Sequence, residues 1–232
     1  MQKGSLLRVA LIGAMVSFGG SMVASSALAD IITETLGVGN AAISGFPPPY
    51  GTVSINRTDT THATITFTEG TAPAPACTTG CTYLFGGNGA VAVNVNATSF
   101  TLSGLTGTSP GASFSSVVAD LSDGGAGTED GFGSFNQTIN NFDGFTHSWA
   151  TITFTLTNTS GTWASASNVL TTGINAAAHT FVTASPALAS NGAIQTGFSA
   201  VPGPILGGGI PGLVMACGGL LALARRRRQR IV

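Results

Sequence analysis

Thr151-Ile152-Thr153-Phe154-Thr155-Leu156-Thr157 alternates a hydroxyl residue with an apolar residue at every step. Because successive side chains of a β-strand point to opposite faces, this segment predicts a strand with threonine on one face and an apolar row on the other. The hexapeptide Ala-Thr-Ile-Thr-Phe-Thr occurs here at 150–155 and again at 63–68. Since the flanking residues align poorly, chance recurrence of a threonine-rich strand is favoured over an internal duplication.

Other segments repeat the same period of two. Val53 and Ile55 alternate with polar residues, as do Val91, Val93 and Val95, and glycine-rich turn signals such as 86–89 separate the runs. Helical periodicity is nearly absent between the termini, with 164–171 as the best candidate. The pattern predicts an all-β fold: an antiparallel β-sandwich of about eight strands, jelly-roll or immunoglobulin-like, each strand with one buried and one solvated face.

The N-terminus has the composition of an export signal. Lys3 and Arg8 precede an apolar stretch from 9 to about 23, and Ala27-Leu28-Ala29 follows. This is the order of a secretory signal peptide, so residues 1–29 are predicted to form a signal helix that is cleaved after Ala29.

The C-terminus combines an apolar run with a basic tail. Residues 205–224 contain no charge and are long enough to cross a bilayer as a transmembrane helix. Arginine at mid-membrane costs roughly 2.5–3.5 kcal/mol, so the tail that follows is predicted to stop transfer and stay in the cytoplasm. The stop-transfer residues are Arg225, Arg226, Arg227, Arg228 and Arg230.

Val201-Pro202-Gly203-Pro204 stands directly before this span. The order of proline motif, small apolar helix, arginine cluster and chain end resembles the PEP-CTERM sorting signal. The resemblance implies export by the Sec translocon and signal peptidase, and transient retention in the inner membrane. It further implies cleavage by an exosortase-type enzyme and release to the cell surface or the extracellular polysaccharide. Gly203 stands where that family has glutamate, which leaves open the sortase variant that acts.

The predicted domains are therefore the signal peptide 1–29, the β-sandwich 30–200 and the sorting segment 201–232. Residues 30–200 contain nine acidic side chains and a single basic one, Arg57, which gives a formal charge of −8. A body with this charge avoids nucleic acid and anionic lipid and favours cations or neutral sugars.

Cys77 and Cys81 are the cysteines outside the predicted span at 205–224. In an oxidising compartment they are predicted to form a disulfide across a tight loop between two strands. The spacing is not the usual C-x-x-C of a redox pair, and no further ligands for a metal site are visible beside it.

A cluster of carboxylates occupies the glycine-rich stretch 120–131. Asp120, Asp123, Glu129 and Asp130 could supply oxygen ligands for a weak Ca²⁺ site, although their spacing does not match an EF-hand loop. The alternative interpretation is a solvated, mobile acidic loop without a cofactor, and the sequence favours it.

No complete catalytic set can be assembled. Gly107-Thr108-Ser109-Pro110-Gly111 has the letters of a nucleophile elbow, but Pro110 lacks the N–H that an oxyanion hole requires. His62, His147 and His179 show no metal-binding spacing and are predicted at strand ends or on the surface.

We therefore expect a non-enzymatic structural or adhesive protein of the cell surface or extracellular matrix. The alternative is a carbohydrate-binding module, with or without assistance from calcium at 120–131. Trp149 falls in phase with the threonine face of its strand, so it could offer a surface for sugar stacking.

Overall fold

The computed structural model describes residues 29–108, 110, 120–141, 148–187 and 193–203. Within these ranges the protein is all-β, and a short 3-10 helix, Ala166–Asn168, lies in the segment that had the best helical pattern. Twelve strands follow one another along the described chain: β1 Asp30–Leu36, β2 Val38–Gly39, β3 Gly51–Arg57, β4 His62–Ala72, β5 Cys81–Phe85, β6 Val91–Val93, β7 Phe100–Thr108, β8 Leu121–Glu129, β9 Gly133–Asn141, β10 Thr151–Asn158, β11 Ala176–Ala184 and β12 Ala193–Ala200.

The named strands pair antiparallel and form two connected parts. One part has the order β1-β3-β4-β10-β7. In the other, β11 pairs with β12 along one edge and with β5 and β6 along the opposite edge, and β9 and β8 follow β6. This agrees with the expected all-β antiparallel class, with more strands than the eight expected.

Strand β4 connects the two parts because it is longer than its neighbours. Residues 63–69 pair with β3, whereas Gly70, Thr71 and Ala72 pair with β5. A strand that passes from one sheet to another forms a corner of a β-sandwich. Gly70 lies at this corner, where an added Cβ would stand 2.5 Å from the carbonyl oxygen of Pro49, so the close approach requires glycine.

The inner faces of both parts share one hydrophobic core. Phe67 of β4 and Phe85 of β5 meet edge to face with ring centroids 6.1 Å apart. Ile152, Phe154 and Leu156 of β10 are all at most 1% exposed, as their alternation predicted. Each buried side chain of this size contributes roughly 1.5–3 kcal/mol to the stability of the folded state, so this core is the main support of the fold.

Strand β6 departs from the expected pattern because both of its faces are buried. Val91 and Val93 enter the main core, while Ala92 lies in a second small cluster with Phe135 and Ala177. The expectation of one solvated face is wrong here, since β6 is an interior strand between β11 and β9.

Apart from Ala29, the predicted signal helix and transmembrane helix lie outside the described residues. Within the part of the chain that the structure describes, no helix has the length and apolar character needed to cross a bilayer.

Candidate functional site

The outer face of the sheet β1-β3-β4-β10-β7 is built from hydroxyl side chains. Alternate residues of neighbouring strands meet in transverse rows, and one row runs from Thr33 through Ser54, Thr66 and Thr153 to Thr106. These positions are exposed or half-buried, while the residues between them face the core. We call this surface the threonine face.

Direct contacts between hydroxyls order the threonine face. Oγ1 of Thr66 lies 3.1 Å from Oγ1 of Thr153, and Oγ1 of Thr108 lies 2.6 Å from Oγ1 of Thr151. Among the described residues, the outward positions of these five strands carry no acidic or basic side chain except His62 at the start of β4. Apart from Ile31 of the edge strand β1, which is 63% exposed, the face is therefore polar and almost uncharged, in contrast to the acidic body that carries it.

The first three residues of the predicted sorting motif pack against the folded body. The N–H of Val201 donates to the carbonyl oxygen of Ala176 at 3.0 Å, and Val201 is 8% exposed within the main core. Pro202 lies over Gly37, with its Cγ 3.5 Å from where a Cβ of Gly37 would stand. Gly203 lies close to Ile174.

Three of the four motif residues thus belong to the folded body. Pro204 and the stop-transfer residues Arg225, Arg226, Arg227, Arg228 and Arg230 lie outside the described residues.

Asp30, the residue after the predicted signal cleavage, begins β1 and is held at both carboxylate oxygens. Nε of Arg57 donates to Oδ1 at 2.7 Å, and the N–H of Ala166 donates to Oδ2 at 2.7 Å. The hydrogen bond from Ala166, together with the neighbouring guanidinium, lowers the pKa of Asp30. This carboxylate therefore ties the start of the described chain to β3 and to the 3-10 helix.

The disulfide is formed as predicted. Cys77 and Cys81 are bonded, and the loop that they close lies between β4 and β5. Gly80 inside the loop has a φ of +87°, a backbone conformation that favours glycine.

The acidic stretch 120–131 is mainly a strand, which corrects the predicted mobile loop. Asp123 and Glu129 lie in β8, while Asp120 precedes it and Asp130 follows it. Oδ1 of Asp123 accepts from the N–H of Gly125 and from Nε2 of Gln137, both at 2.8 Å.

The four carboxylates of the predicted calcium site have separate surroundings. Oδ2 of Asp130 accepts from Nδ2 of Asn40 at 3.1 Å, whereas Glu129 is buried. Within the described ranges, no group of three His, Cys, Asp or Glu side chains is arranged to hold a metal ion.

Glu129 has the most unusual surroundings of these carboxylates. It is 2% exposed, and its Oε2 atom has no hydrogen-bond partner among the described residues. Burial raises the pKa of this carboxyl to about 8, because desolvation penalises the charged form. Sequence reasoning placed Glu129 in a solvated loop, since a glycine-rich acidic segment gives no signal of burial.

His179 lies inside β11, which corrects its predicted place at a strand end or on the surface. Its ring stacks on Phe198 of β12 with centroids 4.4 Å apart and meets Phe181 edge-on at 5.0 Å. Burial lowers the pKa of His179, so the neutral imidazole is favoured. Nδ1 of His62 lies 2.9 Å from Oδ2 of Asp59 in an exposed turn, and His147 lies outside the described residues.

Both tryptophans are buried, so Trp149 does not take the surface position that its phase with the threonine face allowed. Trp149 and Trp163 are each 1% exposed. A Cβ on Gly107 of β7 would collide with the ring of Trp149, so this glycine makes room for the indole. Trp163 borders an open polar cleft of about 710 Å³, but its Nε1 donates to the carbonyl oxygen of Asn96 at 2.8 Å. Neither indole offers a face for sugar stacking.

The segment with the letters of a nucleophile elbow begins at the end of a strand. Gly107 and Thr108 are the last residues of β7, and Ser109 lies outside the described residues.

Comparison of the chain with protein-family models, with curated proteins and with solved structures gave no match.

Proposed function

We propose that this chain is an exported, non-catalytic protein with a structural or adhesive role at the cell surface or in the extracellular matrix. Residues 1–29 direct export, and residues 201–232 hold the chain in the inner membrane until an exosortase-type enzyme releases it. The finer architecture that we propose for the body is a jelly-roll or immunoglobulin-like sandwich.

The observation that carries this proposal is the threonine face. It is a large ordered surface of hydroxyl and methyl groups, without the charges that anionic lipid or nucleic acid would require. Such a face suits contact with neutral polysaccharide, whose hydroxyls both donate and accept hydrogen bonds. The carbohydrate-binding alternative based on Trp149 loses its support because that side chain is buried.

The ends of the folded body also support the proposal. Strand β1 begins at Asp30, directly after the predicted signal cleavage, and β12 ends at Ala200, directly before the sorting motif. Cleavage after Ala29 and near the sorting motif would therefore leave every described strand intact.

Two measurements test the proposal. Mass spectrometry of the protein recovered from the medium of an exosortase-carrying bacterium is expected to show Asp30 as the first residue and loss of the arginine tail. Thr153→Lys is expected to weaken retention on extracellular polysaccharide, whereas Ser122→Lys, an exposed substitution on β8, leaves retention unchanged. Full-length chain recovered from the cytosol with both ends attached would contradict export and sorting.

A further inference from the structure

A small cleft opens where the glycine-rich turn after β5 meets β8 and β9. Its volume is about 220 Å³. Asn88 and Gly89 line it from the turn, Thr138 and Asn140 line it from β9, and Glu129 lines it from β8. Apart from Ala126, the residues that line the cleft are polar or glycine, so the cleft is suited to a polar ligand.

Glycine residues keep this cleft open. A Cβ on Gly89, whose φ is +66°, would collide with Oε1 of Glu129. A Cβ on Gly124 would stand 2.5 Å from Oγ1 of Thr138, and a Cβ on Gly127 would stand 2.7 Å from the methyl carbon of the same threonine. Larger residues at these positions would fill the space beside the carboxyl group.

The Glu129 carboxyl in this cleft lacks a partner. The residue is 2% exposed, and no described side chain or backbone group donates to Oε2. Since a buried polar group without a hydrogen bond is costly, such a group in a folded protein indicates a missing water, proton or ion.

The other oxygen atoms that line the cleft belong to neutral groups. Oδ1 of Asn140 accepts from the N–H of Gly89 at 2.9 Å and keeps a second lone pair. Asn88 is exposed, so its side-chain oxygen is free to turn toward a ligand. The residues that line the cleft include neither His nor Cys, so the donor atoms are those that hard cations prefer and that zinc does not.

We propose that this cleft binds a hard divalent cation of the calcium class, with the Glu129 carboxylate as its anionic ligand and the amide oxygens of Asn88 and Asn140 as neutral ligands. The site differs from one made by four clustered carboxylates, since Asp120, Asp123 and Asp130 do not line the cleft. With one anionic ligand, the dissociation constant is expected in the range of about 10⁻⁴–10⁻³ M that is typical of extracellular modules. The proposal depends on the proposed export only for the supply of calcium.

Calorimetric titration of the purified full chain with calcium chloride, in alkaline buffer where the Glu129 carboxyl is ionised, tests the site directly. The wild-type protein is expected to bind one ion per chain and to unfold about 3 °C higher in saturating calcium. Sodium chloride at matched ionic strength is expected to produce neither effect.

Matched variants identify the ligands. Glu129→Gln keeps the shape of the side chain and is expected to abolish both the binding heat and the thermal shift. Asp123→Asn and Asp130→Asn are expected to leave both unchanged. Asn140→Asp, which adds a second carboxylate to the cleft, is expected to tighten binding about tenfold because calcium affinity follows the charge of the ligand set.

Several outcomes would overturn the proposal. They are the absence of binding heat in the wild-type protein, an equal response in Glu129→Gln, or loss of the response in Asp123→Asn. If Glu129→Gln fails to fold, an unchanged affinity in Asn140→Asp decides against the site by itself. These results are independent of the proposed function, because processing and secretion are read from the termini of the chain.

Discussion

Oγ1 of Thr66 and Oγ1 of Thr153 lie 3.1 Å apart, and the two residues hold the same position in the two copies of Ala-Thr-Ile-Thr-Phe-Thr. The copies pair with each other antiparallel, so Ile65 faces Phe154 and Phe67 faces Ile152 across β4 and β10. Two segments that are distant in sequence thus form the centre of one sheet. This pairing places the hydroxyls on the threonine face and the apolar residues in the core.

The inner face of this pair is expected to contribute far more stability than the outer face. Phe154→Ala should lower the free energy of unfolding by about 3–5 kcal/mol, because it removes a buried ring and leaves a cavity. Thr153→Val should change it by less than about 1 kcal/mol, because the hydroxyl is half-buried on the opposite face. Urea denaturation measures both values, and equal losses would contradict the assignment of the two faces.

The disulfide is expected to act as a local support. Changing Cys77 and Cys81 together to serine should cost about 2 kcal/mol, the value that loop entropy gives for a ring of five residues. Cys77 lies in the loop after β4 and Cys81 is only the first residue of β5, so the strand content seen by circular dichroism should be retained. Loss of the β-sheet spectrum in the double variant would show that the bond has a larger role.

Glu129 should make the folded protein less stable as the solution becomes alkaline. Its pKa is about 8 when folded and near 4.5 when exposed, so the folded state retains a proton that the unfolded state has released. The stabilisation is complete below pH 4.5 and is lost as the pH rises to 8, with a total on the order of a few kcal/mol. Denaturation in chelator-containing buffer between pH 5 and 9 measures this slope.

Glu129→Gln is the control for this pH dependence. The amide cannot ionise, so the alkaline loss of stability should disappear in the variant. His179 acts in the opposite sense, because its lowered pKa destabilises the folded state as the pH falls below about 6.5. An alkaline slope that persists in Glu129→Gln would assign it to another group.

The docked motif predicts where processing ends. Val201 is tied to Ala176 and buried in the core, so the released protein should retain residues 201–203 at its C-terminus. Intact-mass measurement checks this expectation. A released form that ends before Val201 would show that the processing enzyme first detaches this segment from the fold.

Two substitutions separate the folding role of the motif from its recognition role. Val201→Asp should destabilise the body by about 3 kcal/mol or more, because it buries an unpaired charge. Pro202 is exposed, so Pro202→Ala should change the free energy of unfolding by less than about 0.5 kcal/mol. If the motif is recognised as proposed, Pro202→Ala should still reduce processing.

The sequence by itself determined the all-β class, the two faces of β10 and of β4, and the Cys77–Cys81 bond. These features depend on a period of two or on residues four positions apart, and local sequence carries such information directly. The sequence also predicted the export and sorting segments, from their charge and the length of their apolar runs. These segments remain predictions that the mass measurements test.

Only the tertiary structure decided which residues are enclosed. Ala92 is buried because β6 lies between two other strands, and Trp149 is buried although it falls in phase with the half-buried threonines of β10. Glu129 is shielded from solvent because a turn some forty residues earlier in the chain packs against its carboxyl group at Gly89. Burial depends on strands and turns that meet from distant parts of the chain, and alternation within one segment carries no information about those partners.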